Sequence, residues 1–203
     1  MRPSSTQLPL RARRRRRSRA GFTLIELMVI VTIILIMAAV AAPGMMRAMS
    51  INRAQRATMD VARLGRAGRS DAIAFGRAYL LVYGPGATGR GQVQLWRGIT
   101  DSCRTNNWAA ITGTACRSSR DCVDSVDMDT YSTGSSQVRL TTTQTWFCFE
   151  PDADLWVSTG GLFTQPITSL TMNVQRFDGA TGGTPLERRG VVFPITGAPR
   201  TQR

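Results

Sequence analysis

The chain of 203 residues holds two sets of side chains whose types and spacing permit chemistry: cysteines 103, 116, 122 and 148, and aspartates 121, 124, 127 and 129. An even number of cysteines in an oxidising compartment forms disulfides, and four allow three connectivities. Pairing in chain order, Cys103 with Cys116 and Cys122 with Cys148, is the expectation. Closing such loops contributes on the order of 3–4 kcal/mol in the chain-entropy model. The spacing from Cys116 to Cys122 is not C-x-x-C, and without histidine neither a redox nor a zinc role is supported. Asp121, Asp124, Asp127 and Asp129 supply the oxygen ligands calcium prefers. The stretch lacks the glycine and terminal glutamate of an EF-hand, so it reads as a solvated acidic loop, with calcium as the alternative.

The missing residues narrow the chemistry further. There is no histidine and, all 26 basic residues being arginine, no lysine. This removes Ser-His-Asp and Cys-His catalysis, the Walker phosphate lysine and Schiff-base chemistry. The expectation is a chain that is not an enzyme and carries no cofactor. Net charge is +13, which in a folded surface would point to nucleic acid. The charge is not spread, however. Residues 1–21 hold eight arginines (2, 11, 13–17 and 19) and no acid.

Phe22 to Ala42 follows as twenty-one residues with one charge, Glu26. As a helix it would be about 31 Å long, the thickness of a bilayer core. The arginines before it place the N-terminus in the cytoplasm by the positive-inside rule. An ordinary signal peptide cut after Ala41 is the competing reading. Its apolar region would be about 7–15 residues long, and it would not carry a carboxylate. A buried glutamate costs about 2.5–3.5 kcal/mol at mid-membrane on insertion scales for acidic residues.

Gly21-Phe22-Thr23-Leu24-Ile25-Glu26-Leu27 resembles the cleavage and methylation motif of type IV prepilins and the pseudopilins of type II secretion. The glycine precedes the cut, phenylalanine follows it, and glutamate is the fifth residue of the product. Pro43 sits where these proteins commonly have a helix-loosening proline. The resemblance implies that a membrane prepilin peptidase cuts between Gly21 and Phe22 and methylates the new amino group of Phe22. It implies partners too: other pilin subunits and the inner membrane, with the head in the periplasm and then in a pseudopilus or surface pilus. A calcium site in some pseudopilins lies in a region comparable to the aspartate stretch. The physics of Glu26 agrees. In a lipid-like filament core its carboxylate and a neighbouring subunit's N-terminal ammonium would each be costly alone, and pairing them sets the axial stagger.

The elements that would carry these residues can be traced along the chain. After Pro43, apolar residues from Met45 to Phe75 recur at near-helical spacing among Arg47, Arg53, Arg56, Arg63, Arg66, Arg69 and Arg77. A helix of about 50 residues is the simplest account, and its apolar stripe requires a sheet. Strands are expected at 79–83, 92–96, 137–143, 145–150, 154–158, 169–177 and 190–195. The fold class is α+β, a long N-terminal helix packed on an antiparallel head. The segments are a leader (1–21), a membrane or filament-core helix (22–42), an amphipathic stem (43–77) and a β-rich head (78–203). The order resembles the GspH/FimT group, FimU-like subunits included. That group implies a minor subunit of a type IV pilus or a type II secretion pseudopilus, and for some members DNA uptake through C-terminal arginines. Here the tail has Arg188, Arg189, Arg200 and Arg203, but Gly197-Ala198-Pro199-Arg200 departs from the glycine-arginine-x-arginine pattern. The near-neutral head also matches DNA poorly.

Overall fold

The computed structural model describes residues 22–113, 115–134, 136–158, 161–179, 184–195 and 197–202. Residues 1–21, the expected leader with Gly21, lie outside them, as does Arg203. The chain forms two compact units, one ending at Gly44 and one running Met45–Arg203. Helix α1 (Leu24–Phe75) belongs to both. Its first part presents leucine, isoleucine, valine and methionine side chains outward, with none of its most apolar window buried within the chain. A helix of that length and composition can cross a membrane.

The second half of α1 is amphipathic in a particular way. Its buried positions are Ser50, Ala54, Ala57, Thr58, Val61, Ala62, Leu64, Gly65, Gly68 and Ala72. They follow the three-and-four spacing of one helix face, and most are small. Small residues let the backbone come close to its neighbours. A Cβ on Gly65 would lie 2.6 Å from Phe193, and one on Gly68 would lie 2.8 Å from Leu95.

Two antiparallel sheets receive this face. The first has the order β3-β2-β1-β5-β6, from β1 (Tyr79–Gly84), β2 (Gln92–Arg97), β3 (Cys122–Asp127), β5 (Trp146–Phe149) and β6 (Leu155–Ser158). The second has the order β4-β7-β8-β9, from β4 (Ser136–Thr142), β7 (Leu170–Asp178), β8 (Glu187–Phe193) and β9 (Arg200–Gln202). The strand alternation divides the first sheet cleanly. Leu81, Leu95, Phe147 and Phe149 join α1 and the inward residues Val138, Leu140, Met172, Val174, Val191 and Phe193 of the second sheet in the main core. Leu80, Trp96 and Cys148 face the other way, beneath Cys103 and the short helix α2 (Trp108–Thr112). This is the α+β, pilin-like architecture expected.

Three expectations are corrected. The disulfides are Cys103–Cys148, with Cα atoms 6.0 Å apart, and Cys116–Cys122, at 5.2 Å. Cys148 points to the outer face of β5, and the loop carrying Cys103 folds over that face. Cys116 and Cys122 instead flank a tight turn. The acidic stretch is not a loop: Asp124 and Asp127 lie on β3, an edge strand that pairs with β2. Its alternation is broken on both faces, with Val123 exposed on one and Asp124 beside buried Val126 on the other. Finally, β9 is a short strand at the far edge of the second sheet, where no strand was expected.

Candidate assembly site and the surfaces of the head

At the start of α1 the sequence Thr23-Leu24-Ile25-Glu26 folds as a helix cap. The Glu26 amide donates to Thr23 Oγ1 at 3.3 Å, and the Leu27 amide donates to the Thr23 carbonyl at 3.2 Å. This is the spacing of a capping box, in which serine or threonine precedes glutamate by three residues. The position also puts a negative side chain in the first turn, where the helix dipole favours it. The Glu26 carboxylate is exposed and has no hydrogen-bonding or ionic partner among the described residues. Phe22, four residues earlier, is 73% exposed. An open carboxylate beside an apolar helix is a group that needs a cation from elsewhere. Pro43 lies within α1, which runs on through it. Proline removes one backbone donor there and so leaves one ladder bond unmade.

The stem is fastened to the head by polar contacts from several elements. Arg63 reaches Asp124 Oδ2 at 2.9 Å and Asp60 at 3.7 Å. Tyr131, in the turn after β3, donates to Asp60 Oδ2 at 2.6 Å. Arg69 and Arg66 donate to the carbonyls of Gly197 and Pro199, at 2.6 and 3.3 Å, holding the segment before β9. The side chain of Arg176 on β7 is 5% exposed; its guanidinium binds Ser50 Oγ at 3.1 Å and Asp178 at 3.0 Å. Several stem arginines thus act within the subunit.

The four aspartates are not brought together. Asp121 pairs with Arg97 at 3.3 Å, Asp124 with Arg63, and Asp129 with Arg90 at 2.8 Å and with the Thr88 hydroxyl. Asp127 caps the turn Met128–Tyr131 by accepting from the Asp129 amide at 2.9 Å. The Thr88 hydrogen bond, with Arg90 adding to it and partial burial opposing, holds the Asp129 carboxyl below its ordinary range. Each carboxylate has its own task, and no group of three potential metal ligands occurs among the described residues. Of the tail arginines, Arg189 is held by Glu187 at 2.7 Å, while Arg200 stands exposed on β9.

The sequence reading missed the outer face of the first sheet. All four tryptophans, 96, 108, 146 and 156, gather there around Cys103–Cys148. The signal available was their closeness to those cysteines in the chain.

A long helix, apolar in its first half and packed on antiparallel sheets in its second, defines the pilin-like class. Within it, residues 16–42 match the prokaryotic N-terminal methylation motif. That match supports a type IV pilin-like or pseudopilin-like protein, and implies processing by prepilin peptidase and assembly with other pilins. With the apolar helix it also suggests membrane anchoring by one helix. No curated protein and no solved structure matches the chain significantly.

Proposed function

We propose that this chain is a minor pilin or pseudopilin of the GspH/FimT type, a structural subunit at or near the tip of a type IV pilus or type II secretion pseudopilus. The observation that carries the reading is the open Glu26 carboxylate in the first turn of an otherwise apolar helix, inside the methylation-motif match. After cleavage behind Gly21 the new amino group sits on Phe22, and the helix leaves lipid for a bundle of like helices. Glu26 then pairs with the N-terminal ammonium of a neighbour, a contact whose loss leaves a charge without a partner in an apolar medium. The head, outside the membrane, contacts the next subunit or cargo. The role is assembly and not catalysis.

Intact mass of the processed protein tests this. A chain beginning at N-methylated Phe22 supports the proposal, and one beginning at Ala42 overturns it in favour of an ordinary signal peptide.

A further inference from the structure

We infer that the outer face of the first sheet carries a glycan-binding groove selective for sugar rings bearing a carboxylate, that is, uronic acids. The groove measures about 590 Å³ and is lined chiefly by Arg104, Asn107, Trp108, Trp146, Leu162 and Phe163. A cleft of this size with mixed aromatic and polar walls is typical of small-ligand sites. Neither Glu26 nor the stem takes part in it, so the inference does not depend on filament assembly.

Each wall is fixed by the chain itself. On one side the indole nitrogen of Trp108 donates to the Cys103 carbonyl at 2.8 Å, locking the start of α2 onto the Cys103–Cys148 disulfide. On the other, Thr164 exchanges two backbone hydrogen bonds with Val157 of β6, at 2.9 and 3.0 Å, which anchors residues 161–163. Trp146 and Phe163 lie between, their ring centroids 5.9 Å apart and tilted by 35°. A groove held this way loses little freedom on binding.

Its unused groups define the ligand. The guanidinium of Arg104 lies 4.1 Å above the ring of Trp156. That stacking holds the cation but takes none of its N–H hydrogens, and no acceptor among the described residues takes them either. The Trp146 indole N–H likewise has no acceptor among the described residues. Asn107 uses its side-chain oxygen to cap α2, accepting from the Ala110 amide at 3.3 Å, which leaves its NH₂ for a ligand. The groove therefore offers flat apolar surface and spare donors, with one positive charge and no lining carboxylate. Aromatic faces cover the C–H face of a pyranose ring, spare N–H groups suit hydroxyl oxygens, and a guanidinium suits a carboxylate. An extended peptide is favoured less, because the Val157–Thr164 pairing already occupies that part of the β6 edge.

The test uses the full processed chain in a sugar-free detergent, with oligogalacturonate and a neutral galacto-oligosaccharide of equal length as probes. Titration is followed by tryptophan fluorescence and calorimetry. Oligogalacturonate is expected to bind roughly tenfold more tightly, the effect of one charge-assisted contact. Arg104→Gln should abolish that preference while leaving the neutral sugar unaffected. Leu162→Asp, at a residue 86% exposed and so without consequence for folding, should weaken both. Absence of binding by either sugar overturns the inference, as does binding that neither substitution alters. It is equally overturned if no sugar binds and the same substitutions instead abolish cross-links to a neighbouring subunit.

Discussion

Tyr131 and Asp60 are joined by a 2.6 Å hydrogen bond that links the turn after β3 to the second half of α1. Asp60 in turn touches Arg63, which reaches Asp124 on β3, so one edge of the first sheet is fastened to the stem twice. Burial, and then the hydrogen bond to Asp60, raise the Tyr131 phenol above its ordinary value of 10.0.

Tyr131→Phe should therefore cost about 1 kcal/mol, below the roughly 1.5–3 kcal/mol of a buried bond to a charged group because Asp60 is partly exposed. The pH dependence follows from the direction of the shift. A phenol whose folded pKa is raised contributes stability that is whole below pH 10 and fades as pH climbs past it. Tyr79 and Tyr83 are shifted the same way, chiefly by burial. Urea unfolding at stepped alkaline pH should show the wild type losing stability, with a smaller loss in Tyr131→Phe. Equal losses in both would show that the bond contributes nothing.

At the acid end the sign reverses. Asp129, held below 3.8 by Thr88 and Arg90, contributes stability above its unfolded pKa that disappears as pH falls through the folded one. Asp129→Asn should lower stability at neutral pH and flatten the decline below about pH 4. Unfolding midpoints across that range check it, and a decline as steep as in the wild type would refute it.

Gly65→Ala and Gly68→Ala would each gain about 1 kcal/mol of helix propensity. The new methyl would meet Phe193 at 2.6 Å or Leu95 at 2.8 Å, both fully buried, and overpacking costs about 1–3 kcal/mol. Both should lower the melting temperature, whereas Gly44→Ala, with nothing within 4 Å, should not. A stabilised Gly65→Ala protein would mean that the core yields there.

The two disulfides should contribute unequally. Cys103–Cys148 closes 45 residues and Cys116–Cys122 closes 6. Chain entropy gives about 4 and 2 kcal/mol respectively. Replacing the first pair by alanine should lower the melting temperature more than replacing the second. It should also loosen the groove, seen as altered tryptophan fluorescence.

Glu26→Gln keeps the size and the amide-capped first turn but removes the charge. Processing at Phe22 should continue, while recovery of the subunit in sheared filaments should fall by tenfold or more, given the cost of an unpaired buried ammonium. Filament incorporation equal to wild type would remove Glu26 from assembly.

Much of the architecture was legible because it rests on local signals. The apolar run from Phe22, the near-helical spacing of apolar residues in the stem and the apolar run Tyr79–Tyr83 before a Gly/Pro-rich turn each specify an element without reference to distant chain. β3 was not legible, because this edge strand carries polar residues on both faces, Asp124 opposite Leu95 on the core side and Ser125 and Asp127 on the other, and so resembles a loop. β9 is too short to leave a pattern; it pairs with β8, and Arg66 and Arg69 hold the carbonyls that precede it.

The sequence by itself determined the α+β class, the membrane-length helix and the methylation motif over residues 16–42, since each depends on neighbours a few residues away. Only the tertiary structure decided the disulfide pairing, the dispersal of the four aspartates among separate arginines and capping contacts, and the gathering of four tryptophans into one wall. Those outcomes depend on which face of a strand meets which loop. That is fixed by sheet order and long-range packing, which no local pattern encodes.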